Sequence, residues 1–118
     1  MRLTPDIVAG AYEYLRTTPP YRGWKLPHAD EVEFVITRNR WTGQHRGYHR
    51  DRTRHEIGIS ELCASYSETI MRCVGHEMIH QYQRLKGSET PNTEHNAEFA
   101  KLALLACRHH GWDPRNFF

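Results

Sequence analysis

The chain has 118 residues, of which 38% are hydrophobic, and its formal net charge of +2 is too small to imply nucleic-acid binding by the whole surface. No stretch approaches the roughly 18 consecutive apolar residues of a transmembrane helix, and MRLTPDIVAGAYEYLR at the start lacks the apolar core of a signal peptide. We therefore expect one domain with a modest core, residues 1–118, in a soluble, intracellular (cytoplasmic) protein without membrane contact, monomeric by default.

The first predicted element is a helix from Asp6 to about Arg16, where apolar residues recur at helical spacing. Three prolines and a glycine in TTPPYRGWKLP then break this pattern. Alternating apolar residues predict a strand in EVEFVITR, with Val32, Phe34 and Ile36 on one face, and another in HEIGIS. The arginine-rich segment between the two strands is expected to form a hairpin or a further strand.

A period of 3.6 residues returns over about residues 67–85 and predicts the longest helix, which Gly87 is placed to end. Asn92 or Thr93 can cap one more helix, which runs to His110. We therefore predict an α+β fold. A small antiparallel sheet of about three strands would pack with an N-terminal helix, the long helix and a C-terminal helix.

The three cysteines are an odd number and form no C-x-x-C pair; they are Cys63, Cys73 and Cys107. Neither a disulfide framework nor a zinc ribbon is indicated. We interpret these residues as small, buried and apolar.

The stretch VGHEMIHQYQ, residues 74–83, carries a pattern that is typical of a metal site. His76 and His80 are four residues apart on the predicted long helix, so they project side by side, roughly 40° apart around its axis, and can bind one ion. Glu77 is too close in sequence to join them easily as a ligand. It can instead act as general base towards a water molecule that the metal activates.

A third ligand is expected from the following helix, where His95 shares the apolar stripe and so faces whatever that helix packs on. The short-loop motif HExxHxxGxxH is excluded, because Lys86 occupies the position of its third histidine. Glu98 and Glu94 lie on the same helix as His95 and stay open as alternative third ligands.

Six arginines lie between residues 38 and 54, together with two aromatic residues. Such arginines can pair with phosphates while an aromatic ring stacks on an unpaired base, which favours single-stranded DNA as a partner. Alternatively, the segment is a hairpin whose arginines only keep its outer face in water. The candidate nucleic-acid-binding residues are Arg38, Arg40, Trp41, Arg46, Tyr48, Arg50, Arg52 and Arg54.

Two motifs of the chain together resemble the SprT-like zinc metalloproteases, which include the Spartan-type proteases that act on DNA–protein crosslinks. HEMIH, residues 76–80, matches the HExxH motif of that family, and HNAEF, residues 95–99, matches its H-G-x-E-F motif with Asn96 in place of the usual glycine. The run from Glu56 to His80 and GYH at residues 47–49 also look like parts of this domain. The resemblance covers about residues 32–104.

The resemblance implies a zincin-like fold and one zinc ion per chain, bound by His76, His80 and His95, with Glu77 as the catalytic base. It also implies that the chain hydrolyses peptide bonds of a protein substrate, including proteins bound to DNA. The chain would be a minimal catalytic domain without the C-terminal zinc ribbon of many family members, so the domain itself would have to bind DNA.

Two other interpretations stay open from the sequence. One is a zinc-stabilised interaction module in which the ion is structural and Glu77 has no chemical role. The other is a nucleic-acid-binding protein without catalysis. If the chain is an enzyme, the donor that stabilises the oxyanion is undecided among four candidates, which are Tyr48, Tyr82, His109 and His110.

Overall fold

The computed structural model describes residues 2–38, 43–47, 55–61 and 67–117, with only the backbone described for residues 43–47, 67 and 68. Four α-helices and three β-strands lie in these ranges. In chain order they are α1 (Pro5–Arg16), β1 (Val32–Thr37), β2 (Gly43–Gly47), β3 (His55–Ser60), α2 (Ser67–Lys86), α3 (Ala97–His110) and α4 (Pro114–Phe117). Two short 3₁₀ helices, Tyr21–Trp24 and Ala29–Glu31, connect α1 to β1.

The α+β class and the presence of three strands are confirmed, but the prediction of a wholly antiparallel sheet is wrong. The strand order is β1-β3-β2, so β3 is central; it pairs antiparallel with β2 and parallel with β1, with Val32 opposite His55. Alternation of apolar residues identifies a strand but carries no information on its partner. The central position explains why β3 is buried along nearly its whole length.

The long helix is confirmed as α2, and it contacts α1, α3, α4, β2 and β3. Its buried apolar residues join those of the other elements in one core. Tyr12 on α1 is fully buried there; its hydroxyl donates to the carbonyl of Pro27 at 2.7 Å, and the same hydroxyl oxygen lies 3.2 Å from Oε1 of Gln81. These contacts join α1 and the loop before β1 to α2. Burial raises the pKa of Tyr12, which therefore stays a donor.

Gly75 lets the start of the HExxH motif approach its neighbours closely. The hydroxyl of buried Tyr21 donates to the Gly75 carbonyl at 3.0 Å. A Cβ atom at residue 75 would lie 2.5 Å from that hydroxyl oxygen and 2.9 Å from the ring of Trp112. The close approach of Tyr21 and Trp112 therefore sets where α2 lies just before His76.

The predicted start of the next helix, with Asn92 or Thr93 as its cap, is wrong. Asn96 caps α3, because its side chain accepts from the backbone N–H of Phe99 at 2.9 Å. Residues 90–93 instead form a tight turn that is closed by a bridge between Thr90 and Thr93, and Asn92 has a φ of 63°. His95 consequently precedes α3. Among the described residues, no helix is long and apolar enough to span a membrane.

Candidate metal centre

Three histidines from two parts of the chain meet beside α2. His76 and His80 project from that helix one turn apart, and His95 approaches from the loop before α3. Each histidine has one ring nitrogen that lies within 4.8 Å of a ring nitrogen of the other two histidines. The ring centroids are 4.9 to 5.3 Å apart. We refer to His76, His80 and His95 as the three-histidine cluster.

The hydrogen bond of His76 decides which of its ring nitrogens can bind a metal. Nδ1 lies 2.7 Å from the carbonyl oxygen of Phe117. A carbonyl only accepts, so Nδ1 carries the proton in this bond. Burial lowers the pKa of His76 to about 4, which keeps the ring neutral near pH 7. The lone pair is therefore on Nε2.

His80 is also neutral, because burial and, to a lesser extent, the neighbouring His76 and His95 lower its pKa to about 3. Neutral imidazoles are common zinc ligands, and one nitrogen of each ring lies within 4.8 Å of the others. The chemistry of this donor set therefore suits zinc. The three-histidine cluster could hold one metal ion.

Glu77 lies beside the cluster and is 4% exposed. Its Oε2 is 3.8 Å from Nε2 of His76, the nitrogen that carries the lone pair. Burial, followed by the nearby Cys73 and Glu94, raises the pKa of Glu77 to about 8. Because His76 is neutral and Glu77 is mainly protonated near pH 7 in the metal-free protein, this contact is not an ion pair.

Phe99 forms an apolar floor under the three histidines. Its ring is fully buried, and the rings of His95, His80 and His76 lie 4.3, 4.6 and 5.0 Å from it, centroid to centroid. The first turn of α3 therefore limits how far the ring of each histidine can move towards the core. His95 is itself exposed, whereas His76 and His80 are partly buried.

Glu98 is not part of the cluster. Its carboxylate accepts from Nζ of Lys86 at 2.8 Å, from Nε2 of Gln83 at 3.0 Å and from the hydroxyl of Ser88. Lys86, then Ser88 and Gln83, lower the pKa of Glu98 to about 2. Glu94 is exposed and also lies outside the cluster.

Asn96 holds the loop that carries His95. Its Oδ1 accepts from Nε2 of buried Gln83 at 2.9 Å, while its Nδ2 donates to the carbonyl of Ser88 at 3.1 Å and to Oγ1 of Thr90 at 2.9 Å. These bonds join α2, the loop and the start of α3. The sequence interpretation did not include Gln83 or Ser88. No sequence pattern indicates them, because their roles depend on contacts made across the loop.

Most of the candidate nucleic-acid-binding residues cannot be placed. Arg38 is described, with 90% of its side chain exposed and its Nε 3.9 Å from Oε1 of Glu61. Arg46 lies on β2, where only the backbone is described. The candidates outside the described residues are Arg40, Trp41, Tyr48, Arg50, Arg52 and Arg54.

Two candidate oxyanion donors have contacts of their own elsewhere. The ring of Tyr82 stacks on Trp24 at 4.4 Å between centroids. Nε2 of His110 lies 3.3 Å from Oγ1 of Thr18, and its ring stacks on Trp112. His109 is exposed near the end of α3, and Tyr48 lies outside the described residues.

Comparisons with models of known protein families, with curated proteins and with solved structures found no match. A functional assignment therefore depends on the chemistry of the three-histidine cluster and of Glu77.

Proposed function

We propose that the chain is a zinc-dependent metallopeptidase in which His76, His80 and His95 bind one zinc ion and Glu77 is the general base. The observation that carries this proposal is the buried Glu77 carboxyl group, 3.8 Å from Nε2 of His76 within a three-histidine cluster. Structural zinc sites generally have four protein ligands, whereas catalytic sites have three and keep a position open. Among the residues that the structure describes, three histidines can supply ligands to one ion and His95 is exposed, which suits a catalytic site.

The resemblance of HEMIH and HNAEF to the SprT-like family supports the same proposal, as does the order of the two motifs along the chain. In that family the two motifs supply the ligands and the base within a zincin-like fold. The arrangement of α2 and α3 around the cluster is compatible with this assignment. We therefore propose membership of the SprT-like family and a protein substrate.

Zinc at such a site supplies Lewis acidity, which makes water acidic enough to be deprotonated near pH 7. Glu77 would accept that proton during attack on a peptide carbonyl and donate it to the leaving amine. Its buried position excludes competing solvent from the carboxyl group. Glu77, whose pKa burial raises to about 8, would be more readily ionised beside a bound cation and so better able to accept a proton near pH 7.

The ligand assignment is tested by measuring zinc per chain in purified protein. We expect about one zinc per chain in the wild type and clear losses in His76→Ala, His80→Ala and His95→Ala, because each removes one of the few ligands. The matched control is His109→Ala, which changes an exposed histidine on α3. Full zinc occupancy and affinity in His95→Ala, with loss in Glu98→Ala, would show that the third ligand is misassigned.

The role of Glu77 is tested by hydrolysis of denatured and DNA-bound proteins. Glu77→Gln should keep zinc and fold but lose activity about 10²- to 10⁴-fold, because an amide cannot accept the proton. Glu89→Gln, an exposed site, is the control and should retain activity. Equal turnover by Glu77→Gln would exclude Glu77 as the base. Zinc binding without hydrolysis by any of these proteins would favour the alternative, a zinc-stabilised interaction module.

We further propose that the substrates include proteins bound to single-stranded DNA, with the arginine-rich segment contacting the phosphates. Binding to single-stranded DNA should weaken steeply with salt, and Arg50→Ala/Arg52→Ala should reduce the log–log slope by about 1.4 if each arginine contacts one phosphate. The control double variant Arg108→Ala/Arg115→Ala removes the same charge from exposed positions on α3 and α4. If Arg50→Ala/Arg52→Ala leaves the salt slope unchanged and added DNA does not affect activity, the proposed role of DNA is wrong. The chain would then be a general zinc peptidase.

A further inference from the structure

We infer that α4 is a functional part of the metal centre. In this inference, which rests on zinc binding as proposed above, the Phe117 carbonyl selects the tautomer and ring orientation of His76. The ring of Phe117 and the side chain of Arg72 hold that carbonyl in place. Phe117 and Arg72 are therefore positioning residues, because they act on the metal through His76.

The first observation is the 2.7 Å hydrogen bond from Nδ1 of His76 to the Phe117 carbonyl, across 41 residues of sequence. Metal-binding histidines usually donate their second ring N–H to a carboxylate, a carbonyl or water, and this bond fixes both the tautomer and the ring plane. Here the bond leaves the lone pair on Nε2. That nitrogen lies 3.8 Å from Oε2 of Glu77.

The second observation is that α2 holds two consecutive carbonyls of α4. Arg72, one turn before His76, donates to the carbonyl of Asn116, while His76 donates to that of Phe117. The last carbonyls of any helix lack partners within it, so those of a four-residue helix are available to outside donors. Two side chains from one face of α2 thus fix both the position and the direction of α4.

The third observation is the anchoring of Phe117 itself. Its side chain is 3% exposed, and its ring lies 5.6 Å from that of Trp112 and 5.5 Å from that of His76, between centroids. Trp112 in turn lies against Gly75, immediately before His76. The same aromatic residues therefore pack against the backbone and the ring that α2 contributes to the site.

Without the ring of Phe117, the carbonyl would lose its anchor and His76 would lose its acceptor at Nδ1. The imidazole ring of His76 could then rotate, and its proton could move from Nδ1 to Nε2, where it would block metal binding. Loss of such an outer partner of a ligand typically weakens metal affinity about 10- to 100-fold. Packing alone would not require any particular tautomer of His76.

The test compares Phe117→Ala, the conservative Phe117→Leu and Arg72→Ala with the wild type. Arg115→Ala is the control, since it lies on α4 but its side chain pairs with Asp113 at the surface. Zinc affinity is measured by competition with a chelator of known affinity. We expect zinc to bind at least tenfold more weakly to Phe117→Ala. Arg72→Ala should have a smaller loss, Phe117→Leu an intermediate one and Arg115→Ala none.

The second readout uses metal-free protein, so it does not depend on the proposed function. Long-range ¹H–¹⁵N spectra report which ring nitrogen of His76 is protonated. We expect Nδ1 in the wild type and in Arg115→Ala, and a mixture of Nδ1 and Nε2 in Phe117→Ala. If Phe117→Ala does not fold, Arg72→Ala carries the same comparison, because it removes only the donor to the Asn116 carbonyl.

Wild-type zinc affinity and an unchanged tautomer in folded Phe117→Ala and Arg72→Ala would overturn the inference and leave the proposed zinc binding intact. If the wild type binds no zinc, the proposed function fails, and with it the role of α4 in a metal centre. The tautomer of His76 is measured in metal-free protein, so it tests the role of the Phe117 carbonyl whether or not the wild type binds zinc.

Discussion

Substitution of Gly75 by alanine should destabilise the protein although it lies inside a helix. Alanine normally stabilises a helix interior by about 1 kcal/mol relative to glycine. At residue 75, however, the added Cβ atom would lie 2.5 Å from the hydroxyl oxygen of Tyr21 and 2.9 Å from the ring of Trp112. Both side chains are buried, so neither can move away without disturbing its own packing.

Overpacking of this kind costs about 1 to 3 kcal/mol. Movement of Tyr21 also breaks its 3.0 Å bond to the Gly75 carbonyl, and an unsatisfied buried hydroxyl costs about 1 to 3 kcal/mol more. After allowing for the gain in helix propensity, we expect Gly75→Ala to lose about 3 kcal/mol of unfolding free energy. This corresponds to a fall of roughly 10 °C in Tm for a chain of this size.

Gly10→Ala is the matched control. Gly10 lies on the exposed side of α1, and a Cβ atom there would meet nothing within 4 Å. The same chemical change should therefore stabilise the protein by about 0.5 to 1 kcal/mol. Urea unfolding followed by circular dichroism measures both effects. A Gly75→Ala protein as stable as the wild type, or stabilised like Gly10→Ala, would refute the close packing of Tyr21 and Trp112 against α2.

Three other predictions concern the residues around the cluster. In chelator-treated protein, Glu77→Gln should add about 3 kcal/mol of stability at pH 7 and almost nothing near pH 4. The folded-state pKa of about 8 is above the ordinary value of 4.5, so the wild type loses stability as pH rises from about 4.5 towards 8. Urea unfolding at both pH values checks this, and equal gains would contradict it. Glu98→Gln should lower the free energy of unfolding by about 1 kcal/mol at pH 7 and leave it unchanged near pH 2. The pKa of Glu98 in the folded protein is lowered from 4.5 to about 2, so the stability that the carboxylate contributes is lost as the pH falls from 4.5 to about 2. Thermal unfolding at the two pH values measures the loss, and equal stability of variant and wild type at pH 7 would count against the Glu98 contacts with Lys86 and Gln83. Asn96→Ala should lower the free energy of unfolding by about 2 kcal/mol. The loss in Asn96→Gly should be smaller by about 1 kcal/mol, because glycine is tolerated at a helix N-cap. A loss below about 0.5 kcal/mol for Asn96→Ala in urea unfolding would show that the cap and loop bonds are not formed in solution.

Features that depend on neighbouring residues were predictable from the sequence. The helical period identified α1 and α2, and alternation identified β1 and β3, because each pattern follows from the local geometry of one element. The side-by-side placement of His76 and His80 is of the same kind. Once α2 is a helix, residues four apart must lie on one face.

Features that join distant residues were settled only by the tertiary structure. β1 pairs parallel with one edge of β3 and β2 pairs antiparallel with the other edge, and no strand pattern encodes these choices. The carboxylate of Glu98, the alternative to His95, accepts hydrogen bonds from Lys86, Ser88 and Gln83, and only the folded chain brings these residues together. The hydrogen bond of His76 to the Phe117 carbonyl had no sequence signal at all, because every residue has a backbone carbonyl and only the folded chain determines which one is within reach.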